Sequence, residues 1–85
     1  MPNIKSASKR LRQSRARRDR NRAVRSEIRT RVRALLATED AEAAAAEFHA
    51  VTALLDKAAG KGVIPANTAA RRKARLARHV GRLGA

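Results

Sequence analysis

From Ser8 to Ala37 the chain runs for thirty residues without a proline or a glycine, and the stretch "KRLRQSRARRDRNRAVR" (Lys9 to Arg25) sets nine basic side chains against one acid, Asp19. Arg, Ala, Leu and Gln all suit a helix interior, so the segment predicts one long helix, roughly 45 Å at 1.5 Å per residue. Its first half carries charge on every side. Like charges at i,i+4, such as Arg18 and Arg22, destabilise an isolated helix. The counter-charge has to come from a partner, so the segment is expected to be frayed when free and helical on a polyanion.

Charge divides the rest of the chain as well. Residues 1–37 carry thirteen basic and two acidic side chains (+11), residues 38–60 one and five (−4), and residues 61–85 seven and none (+7). We read these blocks as a basic arm and helix, a core helix, and a connection leading into a second basic helix, together forming a single domain of 85 residues. A domain this small buries a modest share of its surface, which argues against a large enclosed active site. The net charge of +14 repels itself in any compact state until a polyanion neutralises it. Nucleic acid is the expected partner, ahead of an anionic membrane.

The second half of the basic segment has a core-facing stripe. Val24, Ile28, Val32 and Leu35 recur at spacings of four, four and three, with Leu36 beside them. Thr38 is the expected N-cap of a second helix whose first turn holds Glu39, Asp40 and Glu42, where carboxylates suit the positive end of the helix dipole. Lys57 and Gly60 supply the expected stop. Inside that helix Ala41, Ala44, Phe48, Val51, Leu55 and Ala58 alternate by three and four, the spacing of helices packed at shallow angles. In "GKGVIPAN" the glycines break the helix, Val63 and Ile64 can tuck against the bundle, and Pro65 keeps Ile64 extended. Asn67 is the expected N-cap of a third helix ending near Leu83. On that helix Arg71, Arg75, Arg78 and Arg82 share one face, with Ala69, Leu76, Val80 and Leu83 opposite. The fold class is therefore all-α, an antiparallel three-helix bundle with a long, strongly basic first helix.

Catalytic and metal chemistry find no purchase. The sequence has no cysteine, and His49 and His79 stand thirty residues apart without partners at ligand spacing. No Ser or Thr has a base beside it, no carboxylate pair lies in an apolar setting, and "GKG" lacks the rest of a phosphate-binding loop. We expect no enzyme, no cofactor, no metal and no small-molecule substrate. No apolar run approaches the ~20 residues of a membrane span. The start "MPNIKSASKR" lacks the apolar middle of a secretory signal, so the expected location is cytoplasmic. Arg outnumbers Lys sixteen to five. Guanidinium groups fork onto phosphates and stack on exposed bases, which suits folded RNA, although GC-rich coding alone also yields an Ala- and Arg-rich chain.

Three stretches, "PNIKSASKRLRQS", "NRAVRSEIRTRV" and "AAGKGVIPANTAARRKARL", resemble in order and spacing the S-twenty family of bacterial small-subunit ribosomal proteins. The resemblance runs over essentially the whole chain. It implies a three-helix protein bound directly to 16S ribosomal RNA early in subunit assembly, touching the 5′ domain and the long penultimate stem beside other small-subunit components. Carried over by position, it implies RNA contacts from Asn3, Lys5, Ser6, Lys9, Arg10 and Arg12. Ser14, Arg15, Arg17, Arg18, Arg20, Asn21, Arg22, Arg25 and Arg29 continue the set. On the third helix it adds Asn67, Arg71, Arg72, Lys73 and Arg75, to which the cationic face adds Arg78 and Arg82. The middle helix, richer in Ala than many members and net negative, is expected to face away from RNA.

A sequence-tolerant DNA-binding protein of the nucleoid type could use the same cationic surface. For DNA one expects a spare dimer seam, a two-stranded arm or a short recognition helix, and the sequence offers none of these.

Overall fold

The computed structural model describes residues 3–84, with side chains from residue 6 onward. It consists of α1 (Asn3–Ala37), α2 (Ala41–Gly60) and α3 (Ala66–Gly84), with no strand among the described residues. Helix α1 begins before Ser8, since nothing from Asn3 onward breaks it, and its 35 residues span roughly 52 Å. The radius of gyration is 17.5 Å, well above the ~12 Å of a compact domain of this length. Only the second half of α1 packs; the first half projects.

The core is small and built from alternating spacings. Ile28 and Leu35 of α1, Ala44, Val51, Leu55 and Ala58 of α2, Ile64 of the connection, and Ala69 and Leu76 of α3 are buried. Val24, Val32, Phe48, Val63, Val80 and Leu83 pack around them. Helix α2 lies against both α1 and α3. Arg25 and Ile28 of α1 sit beside Ile64, and Val32 and Leu36 beside Leu76, so α1 and α3 ascend in the same direction with α2 antiparallel between them. The expected stripe on α1 holds except at Leu36, which is 48% exposed. One residue past Leu35 is a 100° rotation, which carries Leu36 off the face that meets α2.

The helix ends differ from the sequence reading. Asp40, not Thr38, caps α2: its backbone is extended and its carboxylate accepts the Ala43 N–H at 2.9 Å. The Thr38 hydroxyl lies 2.9 Å from the Ala34 carbonyl and 2.7 Å from Glu47 Oε2, tying the end of α1 to α2. Gly60 remains helical, and the reversal falls at Gly62, with φ +76°. There the Gly62 N–H donates to the Ala59 carbonyl and the Val63 N–H to Ala58, two bonds that together close a Schellman motif. Asn67 lies inside the first turn of α3, two residues past the cap position; that position is held by Pro65, whose carbonyl accepts the Ala69 N–H. Proline at this position already has the φ a helix start wants and no N–H to satisfy.

Candidate nucleic-acid interface

Helix α1 sets out its cations by simple rotation. At 100° per residue, Arg15, Arg18, Arg22, Arg25, Arg29 and Arg33 fall within about 80° of one another, one row running from the free arm onto the bundle. Lys9 and Arg20 point the other way, and Arg10 and Arg17 continue the direction of the core stripe where no bundle is left to meet them. All of these side chains are exposed. Ser6 and Arg12 are exposed as well, and Ser14 and Asn21 are half-buried. Ser14, Arg17, Arg18, Asn21 and Arg25 surround an open depression of about 360 Å³ on the arm. The side chains of Asn3 and Lys5 lie outside the described residues.

Helix α3 brings a second set alongside. Arg71, Arg75, Arg78, Arg82 and Asn67 are exposed opposite the buried Ala69 and Leu76, and Arg72 is exposed beside Leu76, one turn before it. Thr68, Arg71, Arg72 and Arg75 line one shallow hollow, and Arg25, Arg29 and Arg72 meet over Ile28 and Ile64 in another. Above these, α1 and α3 leave a groove of about 340 Å³, lined by Arg29, Val32, Arg33 and Leu36 from one helix and Arg72, Arg75 and Leu76 from the other. Arg33 was absent from the sequence-based set. The spacing that reveals it is the run Arg25, Arg29, Arg33 at i, i+4 and i+8, which holds all three on one face.

Lys73 departs from its neighbours. Its ammonium lies 2.6 Å from Asp56 Oδ1 of α2, so this cation is directed at the bundle's own acidic helix. Arg31 pairs with Glu27 at 3.2 Å. Among the described residues these are the two salt bridges, so the rows on α1 and α3 face solvent without carboxylate partners. Neighbours at i,i+4 stand ~5–6 Å apart, inside the ~8 Å screening length of physiological salt, and repel until an anion intervenes. The acids Glu39, Asp40, Glu42, Glu47 and Asp56 are gathered on α2 and the turn before it. This separation gives the molecule one strongly cationic side, suited to phosphate.

Nothing in the geometry suggests chemistry at a reaction centre. Among the described residues no cluster of His, Asp or Glu could hold a metal ion, and no helix is long and apolar enough to cross a membrane. His49 is exposed, its ring tilted against Phe48 at 6.2 Å between centroids. His79 Nε2 is buried without a hydrogen-bond partner, one helical turn beyond Arg75 and Leu76 on α3.

Comparison with known proteins finds relatives over nearly the full chain. The family model described as Ribosomal protein S20 matches residues 2–81. The small ribosomal subunit protein bS20 of Gemmatimonas aurantiaca is 57% identical over 79 aligned positions, covering 92% of each chain. That of Akkermansia muciniphila is 45% identical over 86, covering 98% of this chain and 99% of its own. That of Shouchella clausii is 46% identical over 88 and covers both chains completely. A match of this length and identity establishes that the chain belongs to the ribosomal protein S20 family.

Proposed function

We propose that the protein is a structural constituent of the small ribosomal subunit that binds 16S ribosomal RNA directly and supports early assembly of the subunit. The observation that carries this reading is the segregation of charge: unpaired guanidinium rows on α1 and α3, with the carboxylates collected on α2. The relatives that match this chain end to end are small-subunit proteins. Within that role the 5′ domain and the penultimate stem of 16S RNA are the proposed contacts. A projecting helix with cations on all sides suits a crevice between RNA helices, where phosphates approach from several directions. The location follows from the role and is cytoplasmic. The role is architectural, in that the protein neutralises phosphates and fixes the relative position of RNA helices.

Purified protein should bind naked small-subunit RNA at moderate salt without help from another protein, and should cosediment with small subunits through a high-salt gradient. Weak binding to that RNA alongside tight binding to duplex DNA of equal length would overturn the ribosomal reading in favour of a nucleoid role.

A further inference from the structure

The α1/α3 groove differs from the rest of the cationic surface because it is not only cationic. Its exposed sides carry Arg29, Arg33, Arg72 and Arg75, while Leu76 at 2% exposure, the half-buried Val32 and Leu36 form an apolar floor and lip. Leu36 is one of two exposed large apolar side chains among the described residues, and the other, Leu11, lies out on the arm. None of the groove's lining residues is acidic, and none of its four arginines makes a salt bridge within the described residues.

We infer that this groove receives one unpaired nucleotide of the RNA, its base against Val32, Leu36 and Leu76 and its flanking phosphates on the four arginines. The inference rests on the ribosomal-RNA reading and sharpens it. A continuous A-form duplex offers phosphates and 2′-hydroxyls to a protein surface but keeps the faces of its bases stacked inside, so it could satisfy the arginines and would leave the apolar floor uncovered. An extruded base satisfies both. Its edge and phosphates are polar, its face is apolar, and a guanidinium can lie flat on that face as well as fork onto phosphate. The volume of about 340 Å³ falls at the lower end of the ~300–1,000 Å³ range of clefts that hold small molecules, room for one nucleotide and not for a helix. The arm would then supply affinity that tolerates any sequence, and the groove would read where the RNA has an unpaired residue.

The test compares two RNA hairpins that differ by a single bulged adenosine, with 2-aminopurine replacing the adenosine for a fluorescence readout. The full-length protein should prefer the bulged hairpin by about tenfold, within the range found for one base contact. Emission should rise as the base leaves its stack. In Leu36→Ser, chosen because the side chain is half exposed and the core is untouched, the ratio of the two affinities should fall towards one at an unchanged melting temperature. A wild-type protein that binds small-subunit RNA well yet holds both hairpins equally, or a Leu36→Ser variant that keeps the full preference, overturns the groove assignment alone. The first of these results would leave the groove to a protein partner. Failure to bind small-subunit RNA at all would overturn the ribosomal reading, and this inference with it.

Discussion

Because the arm carries charge all the way round, its cations can be divided by face and removed in matched sets. Arg15, Arg18 and Arg22 lie on the side that continues into Arg29 and Arg33; by the same 100° rotation Lys9 and Arg20 lie roughly opposite, with Arg17 about 130° round from the first set. Replacing each set by Gln removes three charges and leaves helix propensity nearly unchanged. With duplex DNA as the calibration, each phosphate neutralised contributes about 0.9 to the slope of log affinity against log salt, so a set of three engaged cations contributes about 2.7. Between about 50 and 200 mM salt that slope amounts to about 1.6 decades, or roughly 40-fold less loss of affinity in the variant than in the wild type. If RNA surrounds the arm, the two triple variants should lower the slope equally. The measurement is a filter-binding or fluorescence titration of each variant with small-subunit RNA at four salt concentrations. A slope that falls in one set and stays at the wild-type value in the other would refute the enveloped arm and leave a helix lying on a single RNA surface.

The remaining predictions concern the fold that carries this surface. Leu55→Asp places a lone carboxylate at a site of 0% exposure and should cost several kcal/mol, against a total of ~4–13 for a chain of this length, so circular dichroism melting should show an unfolded bundle; unchanged melting would refute the core assignment. Gly62→Ala should cost about 1–2 kcal/mol through its φ of +76°, whereas Gly60→Ala in the last turn of α2 should be neutral or stabilising; equal effects in urea denaturation would show that the reversal is not at residue 62. Amide hydrogen exchange should find residues 9–25 weakly protected without RNA and protected with it, because this part of α1 makes no core contact before Val24; strong protection of the free protein at moderate salt would show a preformed arm.

Much of the architecture was written in local pattern. A run of thirty residues without Pro or Gly, rich in Arg and Ala, contains nothing that breaks a helix, the three-and-four spacing from Ala44 to Ala58 selects one buried face, and the block charges of +11, −4 and +7 assign a basic or acidic character to each helix. These are properties of period and composition, which survive any choice of partner. The exposed cations of α1 and α3 were legible for the same reason, since charge on an exposed helix face needs no tertiary contact to be recognised.

What the tertiary structure decided is where candidates compete and where distant residues meet. Thr38 and Asp40 are both good caps two residues apart, and Asp40 prevails because Thr38 is occupied with Ala34 and Glu47 across the α1/α2 corner. Gly60 and Gly62 could each end α2, and the choice falls on the one that places Val63 and Ile64 back over the core. Lys73 looks like its arginine neighbours until α2 brings Asp56 within 2.6 Å. The groove exists only because α1 and α3 ascend side by side, setting Arg33 and Leu36 opposite Arg75 and Leu76, some forty residues further along the chain. Periodicity assigns each side chain to a face of its own helix, but it carries no information about which face of another helix will be brought against it; packing the shared core of Ile28, Leu35, Leu55 and Leu76 supplies that.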